Sequence, residues 1–254
     1  MGQKFKPNKE LRWKLLVEII EKLSIRRNAE EVFAHISSSI ADKPYIISFV
    51  NAHGYNLCWD NKEFANCLLN SDLVLRDGAG MEILLKFLRL DPGENLNGTD
   101  FIPLFVKHNK DKKLAVFGTN NPYLENAIIK LKIEGYNVIV NADGFREFRE
   151  YIKLLKKHKP DIILLGMGMP RQEKLSIIIK ESLDFPCVVI NGGAIIDFLG
   201  NKFNRAPLWM RNGRIEWMYR FWIEPERLFV RYMNGSFIFF RRMVRLKKIH
   251  KSSL

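Results

Sequence analysis

The chain has little cysteine, no long apolar run and no complete nucleotide-binding signature, and each lack removes a class of protein. Its three cysteines, Cys58, Cys67 and Cys187, are odd in number and form no Cys-x-x-Cys pair. That argues against a disulfide framework or a structural zinc site and suits a reducing compartment. The five histidines (His35, His53, His108, His158 and His250) are scattered without ligand spacing, so each reads as a surface or capping residue and no metal site is expected. No stretch reaches the roughly 18 uninterrupted apolar residues of a spanning helix. Met1 to Glu10 also lacks the apolar core of a signal peptide, and a cytoplasmic location is expected. Neither Gly78-Ala79-Gly80 nor Gly166-Met167-Gly168 continues to the third glycine of the dinucleotide fingerprint. There is no Gly-Lys-Ser/Thr phosphate loop and no Asp-x-Asp pair to hold a divalent cation on a nucleotide diphosphate. An NAD enzyme is therefore a weak reading, and any bound phosphate has to be neutralised by Arg, Lys and helix N-termini.

What is present is ordinary globular composition, 254 residues with 47% hydrophobic, enough for one α/β core and an appendage. The net charge of +13 is uneven: Arg205 to Leu254 carries nine Arg and three Lys against Glu216, Glu224 and Glu226. The anionic partner of that last fifth is thus a separate question from the chemistry of the core.

Asp161 to Ser182 displays the structural unit most plainly. Ile162-Ile163-Leu164-Leu165, fenced by Pro160 and Gly166, is too short for a core helix and predicts a fully buried strand. Gly166-Met167-Gly168-Met169-Pro170 then hands over to a helix at Arg171-Gln172-Glu173-Lys174, with Pro170 just inside its start and Leu175, Ile178 and Ile179 on one face. A strand, a glycine turn and a helix N-terminus make a place where backbone N–H groups can meet an anion. Many such turns hold no ligand; the cluster Arg171-Gln172-Glu173 sets this one apart.

The same theme recurs along the chain. Apolar spacing from Leu11 to Leu23 predicts an N-terminal helix, and Asn28 with Glu31 predicts the capped start of a second. Strands are expected at Tyr45 to Val50, Leu73 to Leu75, Leu114 to Phe117, Val138 to Val140 and Cys187 to Ile190, with helices between them, one of them capped by Thr99. The expected architecture is α/β: a Rossmann-like, mostly parallel sheet with helices on both faces. Residues 1–44 form N-terminal helices, 45–208 the core, and 209–254 a basic aromatic helical appendage. Ligands of such sheets bind beyond the carboxyl ends of the strands. Asn51, Asp77, Gly118, Asp143, Gly166 to Gln172 and Asn191 to Ala194 should therefore converge on one rim.

Asp77-Gly78-x-Gly80 and the set Gly168, Pro170, Gln172, Glu173 are two of four matching motifs. The third is Gly192-Gly193 with Asp197, Gly200 and Arg205-Ala206-Pro207, and the fourth runs from Glu216-Trp217 through Arg220 to Glu224-Pro225-x-Arg227. In this order they resemble the WecG/TagA/CpsF glycosyltransferases from Tyr45 to about Arg231. The resemblance implies an inverting transferase that needs no metal or other cofactor. It would move a sugar (N-acetylmannosamine, its uronic acid, glucose or glucuronic acid) from a UDP-sugar to a polyprenyl-diphosphate-linked saccharide in bacterial surface-polysaccharide assembly.

The same resemblance assigns roles. Asp77 would be the general base, which an inverting transfer needs to take the proton of the attacking hydroxyl; its ordinary pKa of about 3.9 is expected to be raised by the site. Read without the family, Asp77 is a turn aspartate capping a helix. Asn51, Gln172 and Glu173 would contact sugar or acceptor, although Asn51 also reads as a strand-end cap and Gln172 as a helix-start side chain. The loops carrying Gly118, Asp143, Gly166, Gly168, Asn191, Gly192 and Gly193 would hold the nucleotide. Arg220, Arg227 and Arg231 would close over the site and face the diphosphate, guanidinium forks being the available neutralisers where no metal serves. The chain departs from the family pattern in having Phe49-Val50 before Asn51 and Asn95 where an arginine is usual.

From Trp209 onward, aromatic residues from Trp209 to Phe240 alternate with the basic ones. That mixture suits a layer of anionic headgroups, each Lys or Arg adding about 1 kcal/mol near the surface, and places the protein peripherally on the cytoplasmic face of the plasma membrane. A homo-oligomer linked to closure of the appendage is the family's suggestion. The same tail composition fits single-stranded nucleic acid, but that alternative leaves Asp77, Gln172 and the glycine turns unexplained. A third reading is a non-catalytic nucleotide-sugar-binding protein.

Overall fold

The computed structural model describes residues 8–203, 206–207, 209–210, 216–223 and 225–252, with side chains of the last two segments described at 218–219, 221–222 and 235–249. Two helices, α1 (Lys9–Lys22) and α2 (Ala29–Ser39), precede β1 (Tyr45–Val50). There follow α3 (Ala52–Asp60), α4 (Lys62–Leu69), β2 (Leu73–Arg76), α5 (Gly78–Phe87) and α6 (Gly98–His108). Next come β3 (Leu114–Gly118), α7 (Tyr123–Ile133), β4 (Val138–Ala142), α8 (Phe148–His158), β5 (Ile162–Gly166), α9 (Arg171–Ser182), β6 (Val188–Asn191) and α10 (Ile195–Leu199). A short helix, Glu216–Ile223, and a long one, Pro225–Ser252, end the chain.

The six strands form one sheet in the order β2-β1-β6-β5-β3-β4, and every pairing is parallel. Strand side chains alternate between two apolar layers. Ile47, Phe49, Val116, Leu164 and Ile190 pack against α2, α6, α7 and α10. Phe117, Ile163, Leu165 and Val189 pack against α8 and α9. On that second face the layer continues over α1, α3, α4 and α5, where Phe239, Met243 and Leu246 of the C-terminal helix join it. Burial on both faces explains why the strands read as continuous apolar runs. At the β2 edge the chain leaving α1 lies alongside the strand: Leu23 bridges Val74, and Ser24 N donates to Val74 O at 2.8 Å. All three cysteines are buried, and burial pushes the Cys58, Cys67 and Cys187 thiols up to about 12, 11 and 12.

The expected strands and both helical layers are found. The span from Tyr55 to Leu69 is two helices, because Asn61 ends the first and caps the second by accepting Phe64 N at 2.9 Å. Asn97, not Thr99, caps α6, its Oδ1 accepting Asp100 N at 3.0 Å.

Strands β3 and β5 are paired up to their carboxyl ends, Gly118 opposite Gly166. A Cβ on Gly118 would stand 2.3 Å from the Gly166 carbonyl oxygen, so position 118 has no room for a side chain beside the Gly166 backbone. Replacing Gly118 by Ala is expected to cost at least about 1–3 kcal/mol through forced separation of the strands. Urea unfolding of G118A beside the wild type checks this, and an unchanged midpoint would refute it.

Candidate active site

Because the strands are all parallel, their carboxyl ends share one edge. Along it stand Asp77 after β2, Asn51 after β1, Gly192-Gly193 after β6, Gly166 to Gly168 after β5, Gly118-Thr119 after β3 and Asp143 after β4. With strands about 4.8 Å apart, the line from Asp77 to Gly118 crosses four spacings, roughly 19 Å, a length suited to an extended sugar nucleotide. The helices after β3 and β5 leave to opposite faces, which opens a crevice between their loops.

At one end of the rim, Asn51 Nδ2 donates to Asp77 Oδ2 at 3.3 Å, while Asn51 Oδ1 accepts Gly54 N at 3.0 Å and caps α3. Asp77 is half-buried, its own N–H bonds Val50 O at 2.9 Å, and its carboxylate makes no capping bond to α5. The bland reading of Asp77 as a helix cap is therefore not what the side chain does. Asn51 serves as the cap at the end of β1 that its position suggested, here the N-cap of α3, and its amide nitrogen also holds the Asp77 carboxylate.

Behind Asp77, the charged Arg76 ends an otherwise apolar and fully buried strand, the signal that would have marked it in the sequence. It is 4% exposed, pairs with Glu82 at 3.6 Å, and donates to Pro92 O, Gly93 O and Asn95 Oδ1. Asn95 thus receives the guanidinium of Arg76, which ends β2.

Gln172 and Glu173, expected to contact substrate, and Asn191, expected to line the nucleotide, are seated beneath the rim, at 1%, 0% and 2% exposure. Gln172 Oε1 accepts Gly168 N at 3.2 Å and Gly193 N at 3.0 Å, tying the loops after β5 and β6 together. Both glycines have positive φ, 76° and 60°, and nothing lies within 4 Å of where a side chain would begin. Those two positions face open space and need glycine for their backbone. Below them, Gln172 Nε2 donates to Glu173 Oε1 at 2.8 Å, and Asn191 Nδ2 reaches Ser48 Oγ at 2.9 Å and Ser176 Oγ at 3.1 Å. Glu173 Oε2 and Asn191 Oδ1 are buried without a partner among the described residues. In this arrangement the three polar side chains support the loops from within, and the loop backbones form the surface.

The far end of the rim is also tied from within. Thr119 Oγ1 donates to Asp197 Oδ1 at 2.5 Å, which gives the Asp197 of the third motif a positioning role. Asp143 accepts Arg146 Nε at 2.8 Å, and this ion pair, assisted by the Phe145 N–H, lowers its pKa. Arg171 donates to Gly144 O at 2.9 Å and to Arg146 O, and its guanidinium lies over the Phe148 ring. Arg220, Arg227 and Arg231 lie on the last two helices, but their side chains are outside the described residues, as is Arg205 altogether.

Burial pushes the Glu173 carboxyl up from 4.5 to about 7, against the hydrogen bond from Gln172, which lowers it. The folded protein therefore keeps this proton to higher pH than the unfolded chain does. The resulting stability is complete below pH about 4.5 and is lost as pH rises through about 7, a loss on the order of 3 kcal/mol. E173Q should flatten the fall in melting temperature between those pH values while keeping the hydrogen bond to Gln172. Equal pH slopes for the two proteins would refute the assignment.

The profile of the glycosyl transferase WecG/TagA/CpsF family matches residues 17–253. A Bacillus subtilis (strain 168) protein named N-acetylglucosaminyldiphosphoundecaprenol N-acetyl-beta-D-mannosaminyltransferase is 26% identical over 188 residues, covering 72% of this chain and 73% of that protein. A protein of the same name from Staphylococcus aureus (strain NCTC 8325 / PS 47) is 24% identical over 215 residues, covering 81% of both chains. These matches do not favour the nucleic-acid alternative. A parallel α/β sheet with Asp77 and Asn51 at its rim, matched by this profile over most of its length, identifies the chain as a member of the WecG/TagA/CpsF family of glycosyltransferases.

Proposed function

We propose that this enzyme transfers an N-acetylmannosamine-type sugar from a UDP-sugar to a polyprenyl-diphosphate-linked N-acetylglucosamine, with inversion and without a metal. The observation that carries the reading is the Asn51–Asp77 pair, 3.3 Å apart at adjacent strand ends, on the rim that also bears the open loops of Gly168 and Gly193. The names of the two relatives support this donor sugar and this acceptor.

In this mechanism the acceptor hydroxyl attacks the anomeric carbon while its proton passes to Asp77. The bond from the anomeric carbon to the diphosphate oxygen breaks, and UDP leaves with the electron pair. Asn51 holds the aspartate toward the rim. Loop N–H groups and the start of α9 meet the phosphates, and the arginines at 220, 227 and 231 neutralise the leaving diphosphate. D77N should lower turnover by about 10²–10⁴-fold yet keep its thermal stabilisation by UDP. UDP release with UDP-N-acetylmannosamine and a synthetic lipid-linked acceptor measures the first, a thermal-shift titration the second. Undiminished turnover would remove Asp77 from the chemistry.

The lipid acceptor requires proximity to a bilayer. Among the described residues no helix is long and apolar enough to cross one. The open side of the C-terminal helix supports surface attachment, since Phe237, Ile238, Phe240 and Val244 are exposed there beside Arg241 and Arg245. Doubly substituted F237S/F240S protein should sediment less with vesicles containing phosphatidylglycerol than the wild type does. Equal sedimentation would exclude this surface.

A further inference from the structure

The C-terminal helix is held by two kinds of contact that do different work. Phe239, Met243 and Leu246, all 7% exposed or less, insert into the layer formed by α1, α3 and α5. Their spacing of four and three residues is a helical stripe, and apolar contact is not directional. A slip of the helix by one turn would keep much of that burial.

The second set of contacts would not survive a slip. Arg242 donates to Asn56 O at 3.0 Å and to Asn56 Oδ1 at 2.7 Å, its other terminal nitrogen lies 3.7 Å from Asp60, and its guanidinium sits 4.9 Å from the Trp59 ring centre. Asn56 Nδ2 donates in turn to Gly235 O at 2.7 Å. Arg12 of α1 approaches the same ring and carboxylate, at 5.5 and 3.9 Å, and Trp13 meets Trp59 edge-on at 4.6 Å. A planar fork with fixed acceptors specifies one register.

That register sets the reach of the helix over the rim. A Cβ on Gly80 would lie 3.9 Å from Phe239, and Lys247 Nζ lies 4.1 Å from the Phe87 ring centre, so the helix runs parallel to α5 and in step with it. Since α5 starts at the rim beside Asp77, residues before Phe239 project past the strand ends. At 1.5 Å per residue, positions 231 and 227 lie about 12 and 18 Å beyond Phe239 along the axis.

We propose that Arg242 is a positioning residue: through Asn56 and Asp60 it locks the register of the C-terminal helix and so fixes how far helix positions 231 and 227 extend past the strand ends on the Asp77 side. The catalytic consequence rests on the transferase reading; the register itself does not.

Full-length R242A, R242K and L246A, each also carrying the exposed-site label pair I83C/F240C, test it by spin-label distance, melting temperature, kcat and KM. R242A should shift or broaden the distance distribution by up to about 5 Å, one turn. It should also lower kcat at least about tenfold, with KM for the sugar nucleotide moving less than about threefold. R242K should recover part of both. L246A, which weakens the apolar seat alone, should lose more melting temperature and less kcat. An R242A distance distribution like that of the wild type overturns the proposal, as does a shifted distribution with unchanged kcat. If the wild type transfers no sugar, the transferase reading falls, while the distances still decide the register.

Discussion

Parallel pairing is the constraint from which the site follows. A parallel strand can be reached only by a connection that returns across the sheet, so each β-strand here is followed by a helix and each strand begins at the same edge. Six carboxyl ends therefore share one rim, and residues as distant in sequence as Asn51, Asp77, Gly168 and Gly193 come to line it. The sheet's apolar faces supply the burial. What they do not supply is the arrangement of the loops, since apolar packing alone leaves loops free to settle in several ways.

A polar seam under the rim provides that arrangement. It runs from Ser71 through Ser48 to Asn191 and Ser176, then by way of Glu173 to Gln172, which gathers the N–H groups of two loops. Such a network is costly when incomplete and specifying when made. Two of its oxygens, Glu173 Oε2 and Asn191 Oδ1, have no partner among the described residues, and burial makes Glu173 hold its proton to about pH 7. The same division of labour recurs at the C-terminal helix, where burial gives attachment and one guanidinium gives register.

Most elements were legible because their signals are local. Apolar runs between glycine and proline marked the strands, and Asn28 marked a helix start that the structure confirms, with Glu31 N bonding Asn28 Oδ1 at 2.8 Å. The rim itself was legible from the order of strands and helices. What the sequence did not carry was the direction of individual side chains within a motif. Gln172 and Glu173 stand on the first turn of α9, where a shift of one residue turns a side chain by about 100° from rim to core. Nothing local states which they face. Asn191 ends β6, where the alternation of the strand decides its side and turns it inward. Arg76 carries a signal of its own, a charge at the end of a strand that is buried throughout. The partners of Arg242 lie some 180 residues earlier, out of reach of any periodicity.

The two edges of the sheet are unlike. Along β2, the chain leaving α1 already lies against the strand through Leu23 and Ser24, so that edge is closed by the protein's own backbone. Strand β4 at the other edge pairs only with β3 among the described residues. An uncovered edge is a template for another strand. Any growth of this sheet by strand addition is thereby one-sided: it proceeds outward from β4, away from Asp77, and leaves the Asn51–Asp77 end of the rim untouched.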